Sequence, residues 1–397
     1  MNRMTLLLVL FLLLPDLYIY FVHIVRSARR KALRLAYWLP SIALLLTYIY
    51  YMLLGGDNAL SEHPQAIGRL VIGLMAFVIP KVLFILCSLV GVVAHGVVRA
   101  CPRTPFTGIG LLLGILCFVN VLYGHFAGIT QFDVKEVDYH SAHLPKGFDG
   151  YRIVQISDIH IGSWKEDPAA VQRMVDLVNA QEADLIVFTG DLVNQQSHEL
   201  DGFQSILSQL HAPDGVYSIL GNHDYGTYYH WKNKEKETEN LSYLLEQQKA
   251  MGWKLLKNEH AIIHHQGDSI ALIGVENDGE PPFSQYADLP RAMQGTDGMF
   301  RILLSHNPTH WRREVLSASD IELMLAGHTH AFQMELFGYS PSALKYPEWS
   351  GMYREGEQSL YVNVGIGYVG MPFRFGAWPE ITVFQLTNVI FLLSIEC

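Results

Sequence analysis

Charge is scarce in this chain. Lys, Arg, Asp and Glu make up 17% of its 397 residues, against about 25% in an ordinary soluble domain. That shortage excludes a disordered or fibrous chain and points toward a membrane. Cysteine is scarcer still. The four cysteines, Cys87, Cys101, Cys117 and Cys397, are scattered, so neither a disulfide framework nor a cysteine-based zinc site can be read from them. Acidic residues are nearly missing from the first 128 positions, which hold three of them against ten Lys and Arg. The remainder carries 18 basic and 35 acidic residues, a net charge of −17. An acidic main domain argues against double-stranded nucleic acid as a partner, because a duplex needs a basic stripe. No internal repeat is visible, and nothing resembles the paired halves of a transporter.

What the chain does have is long apolar runs. Four stand out, at Thr5–Val25, Ala36–Leu54, Leu70–Val98 and Gly108–Ile129. Each is long enough to cross ~30 Å of hydrocarbon as a helix, which takes about 20 residues. They predict a transmembrane region over residues 1–129 with four helices and the bilayer as a partner. A cleaved signal peptide does not fit a first run this long followed by others. Cations on the connections orient the helices. The first connection carries Arg26, Arg29, Arg30, Lys31 and Arg34, and the third carries Arg99 and Arg103. The second, Gly55–Arg69, has Asp57, Glu62 and only Arg69 at its end. Connections one and three therefore read as cytoplasmic. The expected protein is a multi-pass protein of the inner or plasma membrane with its main domain extracytoplasmic. Asp16 and Lys81 fall inside apolar runs, where ionisable groups are functional candidates. Each also sits beside a proline, Pro15 and Pro80, so helix breaks near an interface are the alternative.

The pattern changes near residue 149. We expect a linker over 130–148, a globular domain over 149–386 and a short apolar tail over 387–397, too short to span a bilayer. In the domain, short apolar runs alternate with amphipathic segments, which predicts an α/β fold. Asp167-Pro168 reads as a helix N-cap followed by proline at the first helical position. Five predicted strands end in a telling way. Arg152–Ile156 runs into Ser157-Asp158-Ile159-His160, and Leu185–Phe188 into Thr189-Gly190-Asp191. Val216–Leu220 runs into Gly221-Asn222-His223-Asp224, Arg301–Leu304 into Ser305-His306, and Leu323–Ala326 into Gly327-His328-Thr329-His330. Carboxyl ends of strands are where open α/β sheets bind ligands. Imidazole, carboxylate and amide oxygen gathered there make a site for a hard or borderline metal.

These blocks resemble the calcineurin-like metallophosphoesterase superfamily, whose ordered motifs Asp-x-His, Gly-Asp, Gly-Asn-His-Asp, Ser-His and Gly-His-x-His are complete here. The resemblance covers roughly residues 149–386. It implies a β-sandwich flanked by helices (αββα) and two divalent metal ions, Mn, Fe or Zn, at the strand ends. By position, Asp158, His160 and His330 would ligate the first metal. Asn222, His306 and His328 would ligate the second, and Asp191 would bridge both. Two +2 ions about 4 Å apart repel by ~17 kcal/mol even at an effective dielectric of ~20, so a shared anion between them is needed. The resemblance gives His223 a catalytic role facing the substrate, protonating the leaving oxygen or stabilising the transition state. Asp224 would either orient that imidazole or cap the following turn.

The tail Gly365-Ile366-Gly367, Met371-Pro372-Phe373-Arg374 and Pro379-Glu380-Ile381 is similar to a membrane-associated bacterial branch of the superfamily. That branch includes cell-envelope phosphodiesterases and hydrolases of UDP-2,3-diacylglucosamine. It commonly carries Gly-Gly-Gln after Gly-His-x-His, where this chain has Ala331-Phe332-Gln333. The segment Leu336–Tyr353 reads as a lid or as an ordinary surface loop. The resemblance thus implies a membrane-anchored hydrolase of a phosphodiester or pyrophosphate, with a lipid or cell-envelope substrate. The alternatives are a UDP-2,3-diacylglucosamine-type hydrolase, a nuclease, and an inactive membrane scaffold. The scaffold reading is weakened because all seven ligand positions are occupied.

Overall fold

The computed structural model describes residues 3–27, 30–54 and 63–389. Part of the connection Gly55–Arg69, with Asp57 and Glu62, lies outside the described residues, as do Arg29 and the apolar tail from 390 onward. The contacts divide the chain into two units, one of 1–127 with 370–373 and one of 128–369 with 374–397.

The first unit is helical where the sequence is continuously apolar. Its helices are α1 (Arg3–Ile19), α2 (Lys31–Ala36), α3 (Leu39–Leu54), α4 (Pro64–Val97) and α5 (Thr104–Phe126). Among the described residues, three stretches are long and apolar enough to cross a membrane: Lys31–Tyr51, Pro64–Val97 and Thr104–Thr130. The first apolar run forms α1, which continues as a π-helix over Tyr20–Ile24. Pro15 and Pro80 lie within α1 and α4 and end neither. Asp16 and Lys81 are therefore not marks of a helix break. They meet instead: Lys81 Nζ lies 2.6 Å from Asp16 Oδ1, and the Tyr37 hydroxyl donates to the same oxygen at 2.8 Å. Lys81 also donates to Ser41 Oγ at 3.0 Å. Burying a carboxylate without such partners is costly.

The second unit is the expected αββα sandwich. One six-stranded sheet runs β1-β12-β2-β3-β4-β5, from β1 (Asp133–Ser141), β2 (Arg152–Ile156), β3 (Leu185–Phe188), β4 (Val216–Ser218), β5 (Lys254–Leu255) and β12 (Glu380–Asn388). The other runs β10-β11-β9-β8-β7-β6, from β6 (Glu259–His265), β7 (Asp268–Gly274), β8 (Arg301–Leu304), β9 (Leu323–Ala326), β10 (Gly351–Glu355) and β11 (Gln358–Val362). The central strands are mostly apolar because both faces are covered, and the buried Gln155 of β2 bonds Thr189 Oγ1 and the Ala326 carbonyl. Ile153, Leu185 and Val187 pack against Ile302, Leu304, Leu323 and Leu325 between the sheets. Their neighbours Val154, Ile186 and Phe188 point outward to Val171, Met174, Val175 and Val178 of α6 (Pro168–Asn179), which Asp167 caps through Ala170 N at 3.0 Å. Leu303, Met324 and Ala326 face Trp311 and Val315 on the other side.

The segment 130–148 is not a linker. Residues 133–141 form β1, which pairs in parallel with β12 over its whole length, and Lys135 reaches the fully buried Glu380 at 2.6 Å. The run mixes charged and apolar residues because β1 is an edge strand, most of whose positions are partly or fully exposed. Strands β2, β3 and β4 are mutually parallel, as are β8 and β9. Their carboxyl ends therefore gather five loops.

Candidate metal centre

Each predicted ligand sits just past a strand that ends in the same loop cluster, and the structure gathers them into two groups of three. Asp158, His160 and His330 bring one donor atom each within 4.8 Å of one another, and so do Asp191, His306 and His328. His160 Nε2 faces His330 Nε2 at 3.1 Å. His306 Nε2 lies 3.1 Å from Asp191 Oδ2 and 3.3 Å from His328 Nδ1. His160 Nε2 is 3.7 Å from the same Asp191 oxygen, so Asp191, a member of the second group, also lies beside a member of the first. Asn222, the seventh, lines the cavity beside them.

The backbone is bent to make this arrangement. Asp158, His160, Asp191, His328 and His330 all adopt positive φ, between 45° and 75°. L-residues visit that region at a cost, and such outliers cluster where function demands them. Two glycines leave room. A Cβ on Gly327 would strike Ser157 Oγ and the Asp158 carboxylate, and one on Gly221 would strike the Asp191 carboxylate.

Second partners orient the ligands. His306 Nδ1 donates to the Thr189 carbonyl at 2.8 Å, which leaves Nε2 for a metal. His328 Nε2 is 3.0 Å from the Tyr346 hydroxyl, which leaves Nδ1. The Asn222 amide nitrogen donates to Tyr228 at 2.9 Å, and its Oδ1 is buried with no hydrogen-bond partner. A buried amide oxygen without a donor is costly and fits a ligand position. Arg374, fully buried, bonds the carbonyls of Val364, Gly367 and Ala377 and lies 3.2 Å from His330 Nδ1.

The electrostatics ask for positive charge. Burial pushes Asp158 toward the neutral form, but His330 beside it and then His306 hold its carboxyl below the usual range. Burial acts the same way on Asp191, and His306 and His223 outweigh it. Burial works against a charged His306, yet Asp191 raises its pKa to about 9. Burial and then His306 lower His328 to about 3. Imidazole, carboxylate and amide donors suit divalent ions of the Mn, Fe and Zn kind.

His223 stands at the edge of the same cavity. Its Nδ1 donates to the Asn194 carbonyl at 2.5 Å, and its ring packs on Tyr228 at 4.5 Å. It also comes within 4.8 Å of His160 and Asp191 donors. Asp224 does not orient it. Both Asp224 oxygens are taken by backbone amides, of Asp191 (2.9 Å), Gly221 (2.9 Å), Leu192 (2.8 Å) and Val193 (3.2 Å). The catalytic reading of Asp224 is thereby corrected: it clamps the loops that carry Asp191 and Asn222. Burial, then the nearby Asp191, raises its pKa to about 7 against those amides. Sequence reasoning missed Tyr346, Tyr228 and Asn194, which no spacing marks. A separate group, Asp278, His310 and Glu314, already has its partners: Arg313 pairs with Asp278, and both His310 nitrogens are engaged, by Ser305 and Glu314 at 2.9 Å each.

A sandwich with carboxylate, imidazole and amide donors at its strand ends defines the class of metal-dependent phosphoester hydrolases. Residues 151–332 match the family model described as calcineurin-like phosphoesterase. Residues 2–129 match the one described as "Probable Calcineurin-like phosphoesterase, transmembrane domain". The uncharacterized metallophosphoesterase YkuE of Bacillus subtilis is 33% identical over 287 residues, which cover 68% of this chain and 89% of that one. The "Transmembrane protein with metallophosphoesterase domain" of Danio rerio is 34% identical over 279 residues, 68% of this chain. That match covers 60% of the fish protein's length. The chain belongs to the calcineurin-like metallophosphoesterase family.

Proposed function

We propose that two divalent ions bind here, one to Asp158, His160 and His330 and one to Asn222, His306 and His328, with Asp191 shared. The observation that carries this is the pairing of two three-donor groups through a single carboxylate oxygen. When bound, such a pair supplies Lewis-acid charge and an activated water. The chain's own residues do the rest. Asp191 offsets the repulsion between the ions. The Asn194 carbonyl holds the Nδ1 proton of His223, so Nε2 can carry a proton toward the leaving oxygen. A general acid of this kind contributes typically 10²–10⁴-fold. Asp224 keeps the Asp191 loop fixed.

The substrate we infer is a phosphodiester or pyrophosphate of a membrane lipid or envelope component. The cavity of about 430 Å³ is lined by Asp191, Asn222, His328 and His330 and also by Phe283, Phe332, Tyr346 and Val369. A polar reacting end and an apolar wall suit an amphiphile. The flanking cations favour an extracytoplasmic domain. A reporter fused after Leu386 should behave as extracytoplasmic, and a cytoplasmic signal would favour a nucleotide-linked substrate instead. The chemistry itself is tested by hydrolysis of bis(p-nitrophenyl) phosphate with and without chelator. Full activity in metal-free protein would overturn the assignment.

A further inference from the structure

The loop that follows His330 contains a feature the metal site does not use. Leu336 and Tyr339 exchange backbone hydrogen bonds, N to O at 2.9 and 3.0 Å, and close a two-residue turn over Phe337 and Gly338. Both turn residues have positive φ, 53° and 80°. Such turns favour Asn-Gly. This chain places phenylalanine there and leaves it 99% exposed. Leu344 is 93% and Tyr339 79% exposed. Phe332, at φ 51°, and Leu336 are also exposed. A bulky side chain held in a disfavoured backbone region, with nothing to pack on, gains nothing for the fold. Contiguous exposed apolar groups of this kind mark a partner.

We propose that this finger, Leu336–Leu344, seats in the lipid interface and presents membrane-resident phosphoesters to the cavity at its base. This rests on the reading of the protein as a membrane-anchored phosphoesterase. The occupant follows from two facts. First, only six residues separate the end of α5 at Phe126 from the start of β1 at Asp133. Fully extended, that connection reaches about 25 Å, so β1 is tethered by a short chain to a helix apolar enough to cross a bilayer. Second, the nine residues from Leu336 to Leu344 carry no charge in a half of the chain with net −17, and Lys345 follows at once. Aromatic residues with a flanking lysine are what interfacial anchors use. The finger is also continuous with the site: Phe332, Pro341, Ser342, Lys345 and Tyr346 line the cavity that holds Asp191 and His328.

The test uses the full chain, metal-loaded, in vesicles of phosphatidylcholine and phosphatidylglycerol. A fluorophore is attached at Phe337→Cys in a background freed of its four native cysteines, with Ser208→Cys as control. The expected result is a blue-shifted emission at position 337 that bromolipids quench, and no such change at 208. A water-like, unquenched signal at 337 overturns the proposal. So does protection at 337 that tracks dimer formation in detergent instead of lipid, since a second copy would then be the occupant. The second arm compares two esters with one leaving group. Phe337→Asn with Leu344→Ser should fold as the parent does, because asparagine suits this φ. It should hydrolyse bis(p-nitrophenyl) phosphate within about twofold of the parent and lose ~10-fold or more on vesicle-embedded phosphatidyl-p-nitrophenol. Equal rates on both esters, or equal losses, overturn it. A parent inactive on the soluble ester refutes the hydrolase reading, while the quenching result still decides the finger.

Discussion

The two units bury ionisable groups in opposite ways. In the helical unit, Asp16 is fully buried and meets Lys81 at 2.6 Å, with Tyr37 and Ser41 closing the cluster. Charge is balanced within the chain. In the globular unit, Asp158 and Asp191 gather four histidines whose nitrogens point at one another, while Asn222 Oδ1 has no donor. Five of those ligands sit in positive-φ backbone. The first arrangement pairs opposite charges, although Asp16 Oδ2 has no hydrogen-bond partner. The second sets carboxylates and imidazoles around one another in a way that fits added cations. An ion pair whose members satisfy each other holds helices together, whereas donors arranged around a gap in charge make a site.

Breaking the second arrangement should have the larger effects. Asp191→Asn removes the charge shared by both groups, so metal content and turnover should both be lost, as read by elemental analysis and by ester hydrolysis. His223→Ala should keep the metals. Its turnover should fall roughly 10²–10⁴-fold on esters with poor leaving groups, and less on a nitrophenyl ester, whose leaving group departs without a proton. A defect that ignores leaving-group pKa, or a lost metal, would mean that His223 is a ligand. Tyr346→Phe removes the hydroxyl that orients His328. Outer partners of this kind are worth about 10–100-fold in affinity or activity, so metal titration should show weaker binding at one of the two sites.

The first arrangement should break differently. Lys81→Met leaves Asp16 buried without a partner, a loss of roughly 3–5 kcal/mol, read as earlier thermal unfolding in detergent. Adding Asp16→Leu should restore the stability. Turnover of a soluble ester per folded molecule should not change in either variant. If the double variant folds yet loses turnover, the pair serves the reaction and not the helices.

The same contrast explains what was legible in the sequence. Long apolar runs announce helices without ambiguity, and β2, β3, β8 and β9 were readable because strands covered on both faces are mostly apolar. The ligands were readable because each follows such a strand. β1 was hidden because an edge strand with charged Asp133, Lys135, Glu136 and Asp138 looks like a linker. The pairing of Asp16 with Lys81 was hidden because they lie 65 positions apart in sequence. Asp224 misled for the converse reason. It is adjacent to His223 in sequence, but its carboxylate turns back to the amides of residues 191–193. Tyr346 reaches His328 from a loop 18 residues on, a relation that only the folded chain creates.

The most direct test of the metal centre is the metal content of the purified full-length protein, counted per chain beside its Asp191→Asn variant. Two divalent ions per parent chain, lost together with ester hydrolysis in the variant, is the predicted result. A parent that hydrolyses the ester after chelation with no metal bound, or a variant that keeps both ions, would contradict the account.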